Sequence, residues 1–121
     1  MNCDYCDEPD TIPVPSGEIW TAEALQQRLR ALAAERSHAA VSWTGGEPLL
    51  HVRFLKTMLP WVRGQGLKNY IETNGAQLEA FKAVAPLCDW VAMDIKLPSA
   101  TGRETWSEHL EFLRVVPEKT F

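Results

Sequence analysis

Cysteine and long apolar runs are both scarce in this chain. Three of its 121 residues are cysteine, an odd number without the spacing of a disulfide framework, which argues against a small disulfide-bonded secreted domain. The apolar stretch "AVAPLCDWVAM" is interrupted by Pro86 and Asp89 and falls short of the roughly 20 residues that span a bilayer. No basic segment followed by an apolar one stands at the start, so no secretory signal is visible. We therefore expect a cytoplasmic protein with no membrane partner.

Positive charge is also in short supply. The chain has 12 lysine and arginine residues against 16 aspartate and glutamate residues, a formal net charge of −4. Nucleic-acid-binding proteins usually carry a clustered basic excess, so we expect no nucleic-acid partner. With 45% hydrophobic residues, the chain is long enough for one buried core and too short for two. Residues 1–121 are therefore expected to form a single domain.

The apolar pattern alternates between helical and strand periodicity along the chain. Segments with apolar residues at helical spacing are separated by short apolar runs that end in glycine or charged residues. Such alternation predicts an α/β fold, with parallel strands joined by helical crossovers. Helices are predicted over 21–36, 51–63, 78–85 and 104–116, with Pro60 expected to kink or shorten the second. Strands are predicted over 39–44, 68–73 and 89–96, and the first and third are expected to be buried on both faces.

Polar motifs follow each predicted strand. The first strand leads into "TGGEP" (44–48), the second into "ETNG" (72–75) and the third into "DIK" (94–96). Ligands of parallel α/β folds bind at the carboxyl ends of the strands, so these motifs are the candidate site. Each motif taken alone also fits a plain turn or a structural ion pair: Asn-Gly favours a turn, and Asp94 and Lys96 on one strand face could pair with each other.

Two cysteines, Cys3 and Cys6, stand close together in "MNCDYCDEPD" among acidic residues. Two thiolates this close together suggest a metal or redox site, but they cannot complete a four-ligand site without further ligands such as the nearby acids. A non-catalytic zinc or interaction module is therefore one hypothesis. It leaves the glycine-rich and charged strand ends without a role.

The motifs "CDYC", "TGGEP", "ETNG" and "DIK", in this order, resemble the signature of the radical S-adenosylmethionine enzymes. In that family a CxxxCxxC loop binds a 4Fe-4S cluster, and the cluster and S-adenosylmethionine together generate a 5′-deoxyadenosyl radical. Cys3 and Cys6 match the last two cysteines. The first would fall four positions before Cys3, two residues upstream of Met1, so Met1 is expected to lie inside the cluster loop.

The same resemblance implies a partial (β/α)6 barrel. Its first strand, which would precede the cysteine loop, and its C-terminal strands would be missing from this chain. We therefore expect a fragment that is inactive alone.

Within this family, the chain is similar to the 7-carboxy-7-deazaguanine synthases of queuosine biosynthesis, on "CD", "EIWTAEAL", "TGGEP", "ETNG" and "KLPS". Those lyases contract the ring of 6-carboxy-5,6,7,8-tetrahydropterin with the help of magnesium. Their loop commonly continues with threonine or serine after "CD", where this chain has Glu8. "DIK" is similar to another branch, the glycyl-radical enzyme activases, which is the alternative function.

The resemblance assigns the N-terminal residues to the cluster and its surroundings. Cys3 and Cys6 would bind the 4Fe-4S cluster, and Tyr5 would pack near the adenine of the cofactor. Glu8 would offer an oxygen ligand to Mg²⁺, with Asp7 beside it.

At the strand ends, the resemblance implies that Gly45, Gly46 and Glu47 receive the methionyl ammonium group of S-adenosylmethionine. It places further residues near the ribose, a cation or the substrate, with Lys96 meeting a carboxylate and Lys96 and Glu72 as the catalytic candidates. These further residues are Glu72, Thr73, Asn74, Asp94 and Lys96. The implied partners are a pterin-like substrate, an electron donor such as flavodoxin or ferredoxin, and a second copy in a homodimer.

Overall fold

A parallel sheet of three strands in the order β1-β2-β3 organises the protein. The structure is a computed structural model that describes residues 18–116. Alternation of strands and helices therefore produces the predicted α/β fold. The helices and strands are α1 (Ala22–Glu35), β1 (Ala40–Trp43), a 3-10 helix (Pro48–His51), α2 (Val52–Gly64), β2 (Lys68–Thr73), α3 (Leu78–Lys82), a second 3-10 helix (Ala85–Leu87), β3 (Trp90–Met93), α4 (Pro98–Thr101) and α5 (Trp106–Val115).

The first two helices begin and pack as their sequences predict. Thr21 caps α1, with its hydroxyl accepting a hydrogen bond from the Ala24 N–H at 3.2 Å. On α2, the side chains of Leu55, Met58 and Val62 recur at helical spacing and are almost fully buried. Pro60 was expected to kink or shorten α2. It does not shorten the helix, which continues through Pro60 to Gly64, and the kink stays a prediction.

One face of the sheet carries the core, and the other is open. Ile71 and Thr73 of β2 point to the helices and are buried, whereas Ser42 of β1 and Trp90 of β3 on the opposite face are exposed. The expectation that β1 and β3 are buried on both faces is therefore wrong within residues 18–116. The core is formed by Trp43, Leu49, Leu55, Met58, Leu59, Val62, Ile71, Phe81, Val84, Ala85, Cys88 and Phe112.

A buried polar network supports the amino end of the sheet. The side chain of Asn69 is fully buried, and its Oδ1 accepts a hydrogen bond from the indole N–H of Trp43 at 3.0 Å. Its Nδ2 donates to the carbonyls of Leu59 and Leu87, both at 3.0 Å. Both ends of the amide are bonded, so Asn69 joins β1, α2 and the second 3-10 helix without an unpaired polar atom.

No helix among residues 18–116 is long and apolar enough to cross a bilayer.

Candidate active site at the carboxyl ends of the strands

The three predicted motifs lie at one edge of the sheet. β1 pairs with β2 in parallel, with Trp43 beside Ile71, and β2 pairs with β3, with Thr73 beside Met93. The ladder continues one step further, because the Asp94 N–H donates to the Thr73 carbonyl at 2.9 Å. The loops after β1, β2 and β3 are therefore neighbours, as parallel pairing requires.

Glu47 connects the loop after β1 to the loop after β2. The residue is 8% exposed. Oε1 accepts hydrogen bonds from the Thr73 hydroxyl at 2.9 Å and from the Leu49 N–H at 3.1 Å, and Oε2 accepts one from the Asn74 N–H at 2.9 Å. A carboxylate has about four lone-pair sites, and the protein itself uses three of them. The sequence identified Glu47 as a site residue but gave no sign of these bonds to residues 26 and 27 positions away.

The double glycine of "TGGEP" leaves space beside the backbone. Gly45 has a φ of +124°, a conformation that other residues rarely adopt. A Cβ placed on either Gly45 or Gly46 would meet no atom within 4 Å. Both residues are exposed, so their amides and carbonyls are accessible to a ligand. This open stretch of backbone lies next to the strand ends, where ligands of parallel α/β folds bind.

Glu72 lies on the open face of the sheet. Its Oε1 accepts a hydrogen bond from the Ser42 hydroxyl at 2.8 Å, and its Oε2 lies 3.5 Å from the Thr44 hydroxyl. Glu72 points away from the core, on the side opposite Thr73, because side chains alternate along a strand. The carboxylate is thus held in place by β1 while remaining accessible from the open face.

Asp94 and Lys96 lie beyond the end of β3, which stops at Met93, three residues before the predicted end at 96. The strand alternation that was expected to place them on one face therefore does not apply to them. The two side chains still form an ion pair with each other. The Asp94 side chain is 59% exposed and that of Lys96 is 13% exposed, so the lysine is the more sheltered partner.

His109 joins this edge from α5. The residue is 3% exposed, and its Nε2 lies 3.0 Å from the carbonyl oxygen of Asn74. Apolar spacing along this helix favours a buried face of Trp106, Leu110 and Leu113, but all three are exposed. The buried face instead starts from Thr105 and His109. Thr105, His109 and Phe112 are spaced so that they lie on one helical face, and this spacing is the sequence signal for the buried face. The signal was missed because Thr105 and His109 are polar.

The cluster loop predicted around Met1 lies outside the described residues. The same holds for the predicted site residues Cys3, Tyr5, Cys6, Asp7 and Glu8. The position of Met1 within that loop, two residues after the third cysteine ligand, therefore stays a prediction, as do the roles of these five residues. Within residues 18–116, no three histidine, cysteine or acidic side chains come together as a metal site.

Cys88 packs as a core residue. It is buried, and its Sγ donates a hydrogen bond to the Val84 carbonyl at 3.4 Å. Burial raises the pKa of the Cys88 thiol to about 12, an effect that nearby Arg63 opposes and Asp89 reinforces. A thiol in this state is a poor metal ligand, which fits a packing role for Cys88.

Comparison with known proteins identifies sequences to which this chain is similar. The model of the radical SAM superfamily matches residues 1–121. A 7-carboxy-7-deazaguanine synthase from Geobacter sulfurreducens is 34% identical over 95% of this chain and 53% of that protein, and one from Thermococcus kodakarensis is 29% identical over 98% and 55%. A pyruvate formate-lyase-activating enzyme from Clostridium pasteurianum is 34% identical over 79% of this chain and 41% of that protein.

The chain spans about half the length of the curated relatives it matches. The match to the family model nevertheless covers every residue of the chain, including the cysteine pair and all three strand-end motifs. The chain therefore belongs to the radical S-adenosylmethionine superfamily, whose members use a 4Fe-4S cluster and S-adenosylmethionine.

Proposed function

We propose that this chain forms the cofactor-binding part of a 7-carboxy-7-deazaguanine synthase, which contracts the ring of 6-carboxy-5,6,7,8-tetrahydropterin in queuosine biosynthesis. The observation that carries the proposal is the joined edge of the sheet, where Glu47 bonds to Thr73 and Asn74 beside the open space at Gly45 and Gly46. The names and coverage of the relatives support the choice of substrate.

Both side-chain and main-chain groups would bind the cofactors in the proposed site. Cys3 and Cys6 would hold the cluster with a third cysteine upstream of Met1, and Tyr5 would pack near the adenine. The carbonyls of the two glycines in "TGGEP" would accept hydrogen bonds from the methionyl ammonium. Glu47 would mainly fix the direction of these loops, because three protein donors already occupy its carboxylate.

When bound, the cluster would supply the electron for reductive cleavage of S-adenosylmethionine, the chemistry that initiates hydrogen abstraction from the substrate. The chain's own contribution is orientation and the exclusion of water. Thr73, Asn74 and Asp94 would contact the ribose or the substrate.

Glu72 and Lys96 are the residues we propose for substrate chemistry. The Glu72 carboxylate is oriented by Ser42 on the open face and would accept hydrogen bonds from N–H groups of a pterin. The sheltered ammonium of Lys96 would pair with a carboxylate of the substrate or the cofactor.

Further parts of the proposal concern metal and partners. Glu8, with Asp7 beside it, would provide an oxygen ligand to Mg²⁺. A flavodoxin or ferredoxin would deliver the electron, and the enzyme would act in the cytoplasm as a homodimer.

The test uses a protein extended at both ends, so that it carries a cysteine two residues upstream of Met1 and, after Phe121, the strands that would complete the barrel. Reconstituted without oxygen, it is expected to show iron–sulfur absorbance and, with a reductant, to form 5′-deoxyadenosine. Addition of the carboxytetrahydropterin should yield the deazaguanine product and ammonia. A Cys6→Ala variant should lose the cluster and Cys88→Ala should keep it; an extended protein without a cluster would refute the proposal.

A glycyl-radical enzyme activase is the second candidate, favoured by the similarity to the pyruvate formate-lyase-activating enzyme and by "DIK". The same assay separates the two functions. Cofactor cleavage without turnover of the carboxytetrahydropterin would favour the activase, because only the synthase acts on that substrate.

A further inference from the structure

The buried face of α5 carries polar groups toward the edge where the strands end. Thr105, which precedes the helix, is fully buried, and His109 follows one turn later on the same face. Phe112 continues this face and stacks on Phe81, with ring centroids 4.3 Å apart. His109 thus occupies a position at which an aliphatic side chain would extend the apolar face of the helix.

Among residues 18–116, the imidazole of His109 makes one hydrogen bond, to the Asn74 carbonyl. A carbonyl oxygen can only accept, so Nε2 carries a proton. Nδ1 is buried and has no hydrogen-bond partner in the described part of the chain. Burying a polar atom without a partner is unfavourable, and leucine would avoid that cost. The bond to Asn74 is therefore what histidine offers here that an aliphatic residue does not.

The bond from His109 is the second of two hydrogen bonds that hold the main chain of Asn74 in place. The Asn74 N–H belongs to the peptide that precedes its Cα and is bonded to Glu47, whereas the carbonyl belongs to the peptide that follows and is bonded to His109. Because peptides are planar, bonds on both sides of the Cα fix the direction in which the side chain leaves the backbone. The side-chain Oδ1 is fixed as well, accepting a hydrogen bond from the Ala76 N–H at 2.9 Å.

The next residue, Gly75, brings the loop close to the histidine ring. Its φ of +71° is one that glycine adopts readily. A Cβ at Gly75 would lie 3.1 Å from Cδ2 of His109, so the loop and the ring are in close contact. The imidazole therefore supports the loop by packing and by its hydrogen bond.

We infer that His109 is a positioning residue that holds Asn74 in place for binding S-adenosylmethionine. The inference rests on the proposed function, in which Asn74 contacts the cofactor. Glu47 fixes one side of Asn74 from the loop after β1, and His109 fixes the other side from α5. Neither the cluster nor the substrate contacts His109 in this role; it acts through Asn74 alone.

The test compares two substitutions in the extended, anaerobically reconstituted protein. His109→Leu keeps a buried apolar side chain and removes the donor, so the affinity for S-adenosylmethionine should fall by about tenfold, the size of one lost hydrogen bond. His109→Gln places an amide nitrogen near the position of Nε2, so its affinity should stay within about twofold of the unsubstituted protein. Equilibrium binding of the cofactor is measured at equal cluster content.

His38→Leu is the matched control. His38 is exposed, and its Nε2 lies 3.3 Å from the Leu32 carbonyl, just before the amino end of β1 and away from the strand-end loops. Its removal should leave cofactor affinity unchanged. Equal affinities of the unsubstituted and His109→Leu proteins would overturn the inference, and so would a His109→Gln protein as weak as His109→Leu.

A second measurement decides the matter if His109→Leu does not fold. Nitrogen-15 NMR of the imidazole in the unsubstituted protein should show the tautomer protonated on Nε2, with a shift on addition of S-adenosylmethionine. A ring protonated on Nδ1 alone, or a signal that the cofactor does not move, would overturn the inference. Failure of the unsubstituted protein to bind the cofactor would refute the proposed function itself, and the inference with it.

Discussion

At the scale of single residues, the loop after β2 depends on the absence of a side chain at Gly75. A Cβ there would lie 2.6 Å from Sδ of Met93 and 3.1 Å from Cδ2 of His109, and φ is +71°. Gly66 offers a matched comparison, since its φ is +79° and a Cβ would meet nothing within 4 Å. Both backbone conformation and close contacts therefore disfavour a side chain at Gly75, whereas only backbone conformation disfavours one at Gly66.

We expect Gly75→Ala to destabilise the protein more than Gly66→Ala. The conformational cost of about 1 kcal/mol is common to both substitutions. Gly75→Ala adds the displacement of Met93 and His109, which brings its total to about 3 kcal/mol. Urea denaturation of the two variants gives the comparison, and equal losses of stability would show that the loop has room for a side chain at Gly75.

Cys88 provides a prediction about chemical reactivity. Because burial raises its pKa to about 12, only about one molecule in 10,000 carries the thiolate at pH 8. Iodoacetamide should therefore leave Cys88 unmodified in the native protein and modify it in urea, as followed by peptide mass spectrometry. Native labelling at the denatured rate would contradict the assignment of Cys88 to the core.

At the scale of elements, the Glu47 carboxylate links the loop after β1 to the end of β2 through its hydrogen bonds with Thr73 and Asn74. In Glu47→Gln one carboxylate oxygen is replaced by an NH2 group, which faces one or more donors among the N–H groups of Leu49 and Asn74 and the Thr73 hydroxyl. A buried donor left without an acceptor costs about 1–3 kcal/mol, so we expect a loss of stability of that size.

The matched control is Glu79→Gln on α3. The Glu79 side chain is 83% exposed and pairs with Lys82 at i,i+3, an interaction worth only a few tenths of a kcal/mol. Thermal unfolding of both variants measures the difference. If Glu47→Gln is as stable as Glu79→Gln, the carboxylate is not the link between the loops.

The order of the three strands and of the helices α1, α2, α3 and α5 could be predicted from the sequence, whereas α4, the two 3-10 helices and the contacts between elements could not. β2 matches its predicted bounds, 68–73, because local periodicity and the following Asn74-Gly75 turn define it. β3 is shorter than predicted, because the alternation through Asp94 and Lys96 continues past the last residue that pairs with β2. Alternation describes a strand-like pattern but contains no information on where the neighbouring strand ends.

Tertiary hydrogen bonds explain what could not be predicted at the site. The motif that contains Glu47 was visible, but the partners of its carboxylate lie on another strand. A polar residue such as His109 on an apolar helix does not indicate which loop it will meet. Periodicity reports the buried face of a helix, and it reported the wrong one for α5 because Trp106, Leu110 and Leu113 dominate its apolar character.

At the scale of the whole molecule, different hydrogen-bond networks lie at the carboxyl and amino ends of the strands, here called the carboxyl edge and the amino edge of the sheet. The carboxyl edge holds the candidate site, with Glu47 and His109 around Asn74. At the amino edge, Asp89 accepts hydrogen bonds from the Asn69 N–H at 2.8 Å and from the Arg63 guanidinium at 3.2 and 3.4 Å. Parallel α/β folds commonly separate function and stability in this way, since ligands bind at the carboxyl ends of the strands.

The ionisation of Asp89 makes the stability of the amino edge depend on pH. Burial alone would raise the pKa of its carboxyl, but the Asn69 N–H, Arg63 and Lys68 outweigh that effect and lower it from the ordinary value of 3.8. A group whose pKa is lower in the folded state stabilises the protein above its unfolded pKa, and this contribution is lost as the pH falls through the folded pKa. The loss should therefore begin near pH 4 and be complete only below the folded pKa.

Asp89→Asn tests the separation of the two edges. At pH 7 it should lower the free energy of unfolding by about 2 kcal/mol, because the Arg63 guanidinium loses its charged acceptor. The difference from the unsubstituted protein should begin to shrink near pH 4, where Asp89 of the unfolded state becomes protonated, and should disappear only below the lowered pKa of the folded state, where the native aspartate is protonated as well. An Arg63→Met, Asp89→Asn double variant should be less destabilised than the sum of the single variants.

Affinity for S-adenosylmethionine should remain unchanged in Asp89→Asn, because Asp89 lies at the opposite edge from the strand-end loops. A pH-independent loss, or weakened cofactor binding at full folding, would mean that the two edges are not independent.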